Sequence, residues 1–211
     1  MVDIAVIDYG MGNLRSVLNA LSAVAPNASV VVTSDPAVLG QAARVVFPGQ
    51  GAMPDCMREL EARGLRKAVL DAAQKKPFLG ICIGLQMLFE HSTEGDVACL
   101  QVLPGEVVRF EHDLHDAQGS RLKVPHMGWN QVHHGEHPMW QDISQDERFY
   151  FVHSYYVKTL DAALVQAQTN YPEPFVCAVA RENLFAVQFH PEKSHTAGLQ
   201  LLKNFVSWNP C

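Results

Sequence analysis

Three side chains in this sequence have the types and spacing that acyl transfer needs. One is a cysteine in Gly80-Ile81-Cys82-Ile83-Gly84; the others are a histidine and a glutamate in Gln188-Phe189-His190-Pro191-Glu192. A G-x-C-x-G pattern between a strand and a helix is the cysteine counterpart of the G-x-S-x-G nucleophile elbow. Glycines flank such a turn because larger side chains would strike the neighbouring strand and helix. The first N–H groups of a helix and its dipole favour a thiolate at that place. The Ile83 N–H is then aimed at an oxyanion forming on a substrate held at the sulfur. A cysteine between glycines is also an ordinary way to fill a core, so a base must decide. His190 and Glu192 stand two apart at the end of an apolar run, which projects both from one face of a strand. A carboxylate accepting one imidazole N–H fixes the tautomer and leaves the other nitrogen for a thiol. A third piece, FPGQG at 47–51, puts two glycines around Gln50 directly after another apolar run, a loop able to offer a second oxyanion N–H.

The elements that must position these groups follow from periodicity. VDIAVID, SVVVT, RVVFPG and PFLGIC are short apolar runs. They are separated by helical spacing over NLRSVLNALSAV, AVLGQAA and two stretches of MRELEARGLRKAVLDAAQKK. A further helix is expected to open at GLQMLFEH. Continuous apolar strands alternating with helices predict a parallel sheet covered on both faces. From about residue 105 the texture changes. EVVRF, WNQVHH, FYFVHSYYV, ALVQAQTN, FVCAVA and LFAVQFH read as strands on short polar links, an antiparallel or mixed extension of the same sheet. A last amphipathic helix is expected over Ala197 to Trp208, and EHDLHDAQGSR (111–121) reads as a loop. The expected fold is α/β, an open mixed, mostly parallel sheet with helices on both faces, in one domain over 1–211. Both motifs then end strands at the edge where open α/β sheets place their sites.

Composition sets the outer bounds. With 211 residues, 48% hydrophobic, the chain can bury a core without disulfides or metal. A formal charge of −6 speaks against a nucleic-acid surface, and no basic run of the kind that attracts anionic lipid is present. The N-terminus lacks a positively charged leader and no apolar stretch reaches ~18 residues, so neither export nor a membrane helix is expected. Five cysteines (Cys56, Cys82, Cys99, Cys177, Cys211) without a CxxC pair read as free thiols in a reducing, cytoplasmic setting.

Together, PGQG, GICIGLQMLF and QFHPE resemble, in order and spacing, the class I (triad-type) glutamine amidotransferase domains, whose fold is flavodoxin-like. DYGMGNL (8–14), PHMGWN (125–130), YFVHSYY (150–156) and LLKNF (201–205) narrow the resemblance to the glutaminase subunits of imidazole glycerol phosphate synthase. That resemblance implies a Cys82–His190–Glu192 triad that hydrolyses L-glutamine. It implies an oxyanion hole from Gly49, Gln50 and Ile83, and glutamine held by Gly49, Gly51, Gln86, Ser154 and Tyr155. It implies no cofactor and no metal. It also implies ammonia passed to a separate (β/α)8 cyclase subunit in a heterodimer, faced by Asn13, Trp129, Tyr150 and Lys193. One place departs from the pattern: Gln50 stands where a small apolar residue such as valine is expected. The loop's donor is backbone, so activity should survive. The larger side chain bears on how readily that peptide reorients, and low activity alone with large stimulation by the cyclase is expected.

Other signals point elsewhere and are weaker. GMGNLR fails the G-x-G-x-x-G dinucleotide pattern at Arg15, and VHHGEHP (132–138) lacks the H-E-x-x-H order of a zinc site. Met53, Met57 and Met87 sit on helical patterns as core fillers. The alternative readings are the glutaminase subunit of another amidotransferase, and a silent scaffold or regulatory module. PHMGWN and Gln86 oppose the first, and the intact triad opposes the second.

Overall fold

The computed structural model describes residues 2–116 and 118–210; Cys211 lies outside them. Its first half follows the alternation read from the sequence. β1 (Ile4–Ile7) leads through α1 (Leu14–Val24) to β2 (Val30–Thr33), through α2 (Pro36–Gln41) to β3 (Arg44–Phe47), and through α3 (Met53–Ala62) and α4 (Arg66–Lys75) to β4 (Phe78–Ile81). Asn13 caps α1 by accepting from Ser16 N, and Asp35 caps α2 ahead of a proline in its first turn.

The second half is mostly strands. After α5 (Ile83–Gln86) come β5 (His91–Ser92), β6 (Val97–Ala98), β7 (Glu106–Arg109), β8 (His126–His134), β9 (Glu147–His153), β10 (Tyr155–Lys158), β11 (Val165–Asn170), β12 (Pro174–Arg181), β13 (Leu184–Val187) and α6 (His195–Ser207). The sheet order is β2-β1-β3-β4-β13-β12-β10-β7-β5-β6, with β11 joining β12 to β8 and β8 to β9. From β2 to β13 all neighbours are parallel; from β13 through β12 and β10 to β7 they are antiparallel.

The placing of β13 matters most for the site. The last strand inserts beside β4, with Val187 opposite Ile81, so residues that leave those two strands leave side by side. That is how Cys82 meets a motif more than a hundred residues later in the chain.

Each face of the parallel strands has its own core. Ala5, Ile7, Phe47, Phe78 and Ala186 face α3 and α4, whereas Ile4, Val6, Leu79, Ile81 and Val187 face α1 and α6. The strands are apolar on both faces for this reason, and helices flank them on both sides. Leu201, Leu202 and Phe205 of α6 are fully buried, each side chain contributing about 2 kcal/mol by removal from water.

Several expected elements differ. The helix expected over GLQMLFEH is one turn, Ile83–Gln86. Beyond it the carbonyls of Met87, Leu88 and Phe89 accept from N–H groups of residues 100–103 instead of continuing a helix. Residues 82–89 are buried on every side, so no polar face exists to make the segment amphipathic. FYFVHSYYV breaks at Ser154 into β9 and β10, β8 starts at His126, ahead of WNQVHH, and α6 starts two residues before Ala197.

Candidate functional site

Cys82 adopts φ 56° and ψ −112°, a left-handed conformation that costs a non-glycine residue on the order of 1–3 kcal/mol. The surroundings hold it there. Its N–H donates to Val187 O of β13 at 2.8 Å, and its carbonyl accepts from Leu85 N at 3.0 Å. The flanking glycines are sterically required. A Cβ on Gly84 would lie 1.9 Å from Phe47 O, and one on Gly80 2.9 Å from the Ala186 Cβ. A single-turn helix carries little macrodipole, so the helix contributes mainly the Ile83 N–H, which as a first-turn donor has no intrahelical acceptor.

The base comes from beyond β13. His190 N donates to Tyr150 O at 2.9 Å, and its carbonyl accepts from Ser194 Oγ at 2.6 Å. Nδ1 donates to Glu192 Oε1 at 2.8 Å, with both side chains almost fully buried. The pair does not form by strand alternation as expected. β13 ends at Val187, and Pro191–Lys193 is a 3-10 turn that swings Glu192 back under the ring. Burial by itself would lower the His190 pKa. The Cys82 sulfur and the Glu192 carboxylate outweigh it and push His190 up to about 10. Its Nε2 is buried with no hydrogen-bond partner among the described residues, and His190 lines a cleft together with Cys82.

That cleft holds about 270 Å³, an amino-acid-sized space just below the lower end of the ~300–1,000 Å³ range of ligand pockets. Gln50, Gly51, Ile83, Gln86, Ser154 and Tyr155 line it beside Cys82 and His190. Gly49 stands just behind Ile83, where a Cβ would sit 2.2 Å from Ile83 Cγ2 and 2.0 Å from Tyr9 Oη. DYGMGNL backs this loop: a Cβ on Gly51, itself at φ 123°, would meet Met11 Cε at 2.5 Å. Beneath it Cys56 Sγ donates to Gln50 O at 3.7 Å.

Three lining residues carry no role in the sequence reading, Glu94, Val152 and His153, and neither does Gln188, which contacts the sulfur without lining the cleft. Gln86 Nε2 donates to Tyr155 O and to Gln188 Oε1, both at 2.9 Å, and Gln188 Nε2 donates to Cys82 Sγ at 3.8 Å. Tyr155 O also accepts from His153 Nδ1 at 2.8 Å, which leaves His153 Nε2 to accept from His126 Nδ1 at 3.0 Å. Asn130 Nδ2 donates to Asn170 O at 2.9 Å and approaches His126 Nε2 at 3.3 Å. Gln188 was legible by spacing, since it stands two residues before His190. Glu94 and Val152 leave no sequence signal.

Three of the four residues expected at a partner face gather near the His190 turn. Trp129, 42% exposed, stacks on His195 with centroids 5.0 Å apart and meets Tyr150 edge-on; Met127 beside it is 62% exposed. Lys193 lies in the 3-10 turn itself, against which α1 packs. Asn13 serves the α1 cap. The histidines of VHHGEHP have separate structural roles: His133 pairs with Asp146, His134 stacks on Trp140, and His137 caps the Pro138–Trp140 turn. Among the described residues no three potential ligands converge as a metal site, and no helix is long and apolar enough to cross a membrane.

The chain as a whole resembles known proteins. The family described as "Glutamine amidotransferase class-I" matches residues 5–208. A Thiobacillus denitrificans protein named "Imidazole glycerol phosphate synthase subunit HisH" is 65% identical, covering 99% of this chain and 92% of that protein. A protein of the same name from Aromatoleum aromaticum is 66% identical over the full length of both. Among solved structures, one titled "Crystal structure of glutamine amidotransferase" superposes with a TM-score of 0.72 at 17% identity, covering 97% of each chain. PurLQS from Thermotoga maritima gives 0.67 at 18%, covering 98% of this chain and 99% of that one. The structural likenesses speak for the fold, and the sequence likenesses carry further.

Proposed function

The chain belongs to the class I glutamine amidotransferase family, and from that premise we infer that it is the glutaminase subunit of imidazole glycerol phosphate synthase, an enzyme of histidine biosynthesis. The observation that carries the reading is the buried His190–Glu192 pair, whose histidine, its Nε2 unpartnered, shares an amino-acid-sized cleft with a cysteine held at positive φ.

The cleft accounts for each step by residues in hand. The Cys82 thiolate attacks the side-chain amide carbon of L-glutamine, and the carbonyl π electrons move onto oxygen. N–H groups of Ile83 and of the Gly49–Gln50 loop receive that oxyanion. Protonated His190 gives its Nε2 proton to the departing amine; the C–N bond breaks, ammonia leaves and a glutamyl thioester remains. Neutral His190 then takes a proton from water, hydroxide adds to the thioester, and Cys82 departs as thiolate with glutamate released. Glu192 holds the ring and stabilises its charged form throughout. Gly51, Gln86, Ser154 and Tyr155 border the space that the amino acid would fill. No step needs a metal or cofactor.

Ammonia is expected to reach a separate (β/α)8 cyclase subunit without passing through bulk solvent. The exposed Met127–Trp129–His195 patch beside the catalytic turn, with Tyr150 and Lys193, is the surface offered for that partner. In the assembled complex, Cys82→Ala is expected to abolish synthesis from glutamine and to leave synthesis from ammonium salts intact. Loss of both would make Cys82 structural. Glutaminase rates with and without the cyclase and its nucleotide ligand test the expected stimulation; equal rates refute it.

A further inference from the structure

Gln188 is completely buried and extends the β13 ladder, its N–H donating to Cys177 O at 2.8 Å. Its carboxamide has only one orientation open to it. Tyr155 O can only accept, so Gln86 must present Nε2 to it; the second hydrogen of that same Nε2 then needs an acceptor, which is Gln188 Oε1. With Oε1 committed, the Gln188 NH₂ group must face Cys82 Sγ, 3.8 Å away. A neutral thiol sulfur is a weak acceptor, whereas a thiolate makes a charge-assisted bond. The donor therefore gains most when the sulfur is anionic.

We propose that Gln188 is a further catalytic residue: its Nε2–H bonds the Cys82 thiolate, raises the deprotonated fraction of the sulfur and fixes its direction of attack, while Gln86 and the Tyr155 carbonyl lock Gln188 as the donor. The proposal rests on Cys82 being the nucleophile of the reaction above. Stabilising a thiolate lowers its intrinsic nucleophilicity by less than half of what it gains in population, since the Brønsted slope is ~0.4–0.5. The net effect at neutral pH is faster attack, and the same donor assists when thioester hydrolysis expels the sulfur.

The test is the pH dependence of iodoacetamide alkylation at Cys82 in the full chain, read from its peptide by mass spectrometry. Burial pushes the Cys56 thiol up to about 12 and Cys99 to about 11, and raises Cys177 further, so those three contribute little background. Gln188→Met should move the alkylation midpoint up by about one pH unit, and should lower kcat/KM for glutamine in the cyclase complex by about threefold through kcat, the lost thiolate population being partly offset by its greater nucleophilicity, with KM little changed. Gln188→Asn keeps the amide but not the reach, and should show the same shift. An unchanged midpoint in a folded variant overturns the proposal, as does a loss confined to KM, which would make Gln188 a support for Gln86 alone. The unmodified chain offers an independent reading: the side-chain NH₂ resonances of Gln188 should titrate with the alkylation midpoint, and resonances indifferent to it overturn the proposal too. Glutamine hydrolysis surviving in Cys82→Ala would instead sink the underlying reading, an outcome distinct from either.

Discussion

Two buried imidazole sites adjoin one cleft, and they behave in opposite ways. His190 is pushed up to about 10, whereas burial pulls His126 down to about 4 and His153 to about 3, His126 and His190 adding to the latter. Burial disfavours the charged ring at all three. What differs is the company. His190 has a carboxylate at 2.8 Å and a sulfur able to become an anion. His126 and His153 have each other, a carbonyl and an amide, with Tyr171 and Phe151 stacked on the His126 ring. A buried histidine becomes a proton carrier when an anion faces it and a structural strut when none does.

Removing the carrier should have the largest effect. His190→Ala is expected to lower kcat for glutamine hydrolysis by roughly 10³- to 10⁴-fold, the upper range for a lost general acid–base. Glu192→Gln should cost less, about a hundredfold, because it weakens orientation and charge stabilisation and leaves the imidazole in place. Steady-state assays on the cyclase complex give both values, with ammonium-dependent synthesis as the control. If His126→Phe lowered kcat as much as His190→Ala, the division into carrier and strut would fail.

Next in size is stability against pH. The folded values for His126 and His153 lie below the ordinary histidine value of 6.5, so their neutral burial favours folding fully above pH 6.5. As pH falls toward 4, the unfolded chain takes up two protons that the folded chain refuses. Stability should then drop by up to ~1.4 kcal/mol per pH unit for each ring. The raised His190 has the opposite sign: its contribution is complete below 6.5 and fades as pH rises through about 10. Urea unfolding between pH 7 and 4 should show the acid limb, and His126→Phe should flatten it by one proton's slope. The same variant leaves His153 Nε2 without its donor, costing about 1–3 kcal/mol at pH 7.5. An acid limb unchanged in His126→Phe would assign the titration to other groups.

The carrier was legible in the sequence and the strut was not, for physical reasons. The pentapeptide around Cys82 announces itself because the neighbouring strands, at Phe47 and Ala186, leave no room for side chains at Gly84 and Gly80, so the glycines are written into the sequence on both sides of the cysteine. His190 and Glu192 were legible as a pair because they are close in sequence, although a 3-10 turn rather than strand alternation joins them. The parallel strands were legible because double-sided burial writes unbroken apolar runs. His126 and His153 are 27 residues apart and meet only through the pairing of β8 with β9, which periodicity does not fix. The one-turn α5 was obscured in the same way, since the groups that end it belong to residues 100–103. Its neighbours override a helical pattern that reads well locally.

The smallest effect should come from supplying the strut with what it lacks. Asn130→Asp would place a carboxylate 3.3 Å or so from His126 Nε2, imitating Glu192 beside His190. His126 Nδ1–H is already committed to His153, so a proton on Nε2 makes the ring an imidazolium, which the new carboxylate favours. Partial exposure of residue 130 and the nearby Asn170 carbonyl, which loses its donor, limit the gain. We expect the His126 pKa, followed by NMR, to rise from about 4 by roughly one unit. The acid limb of stability should become shallower and kcat should change less than threefold, because the hydrogen bonds from His126 reach Cys82 through His153, the Tyr155 carbonyl and the Gln86–Gln188 amides and not directly. A His126 that stays low beside the new carboxylate would mean that desolvation, not the missing anion, sets its state.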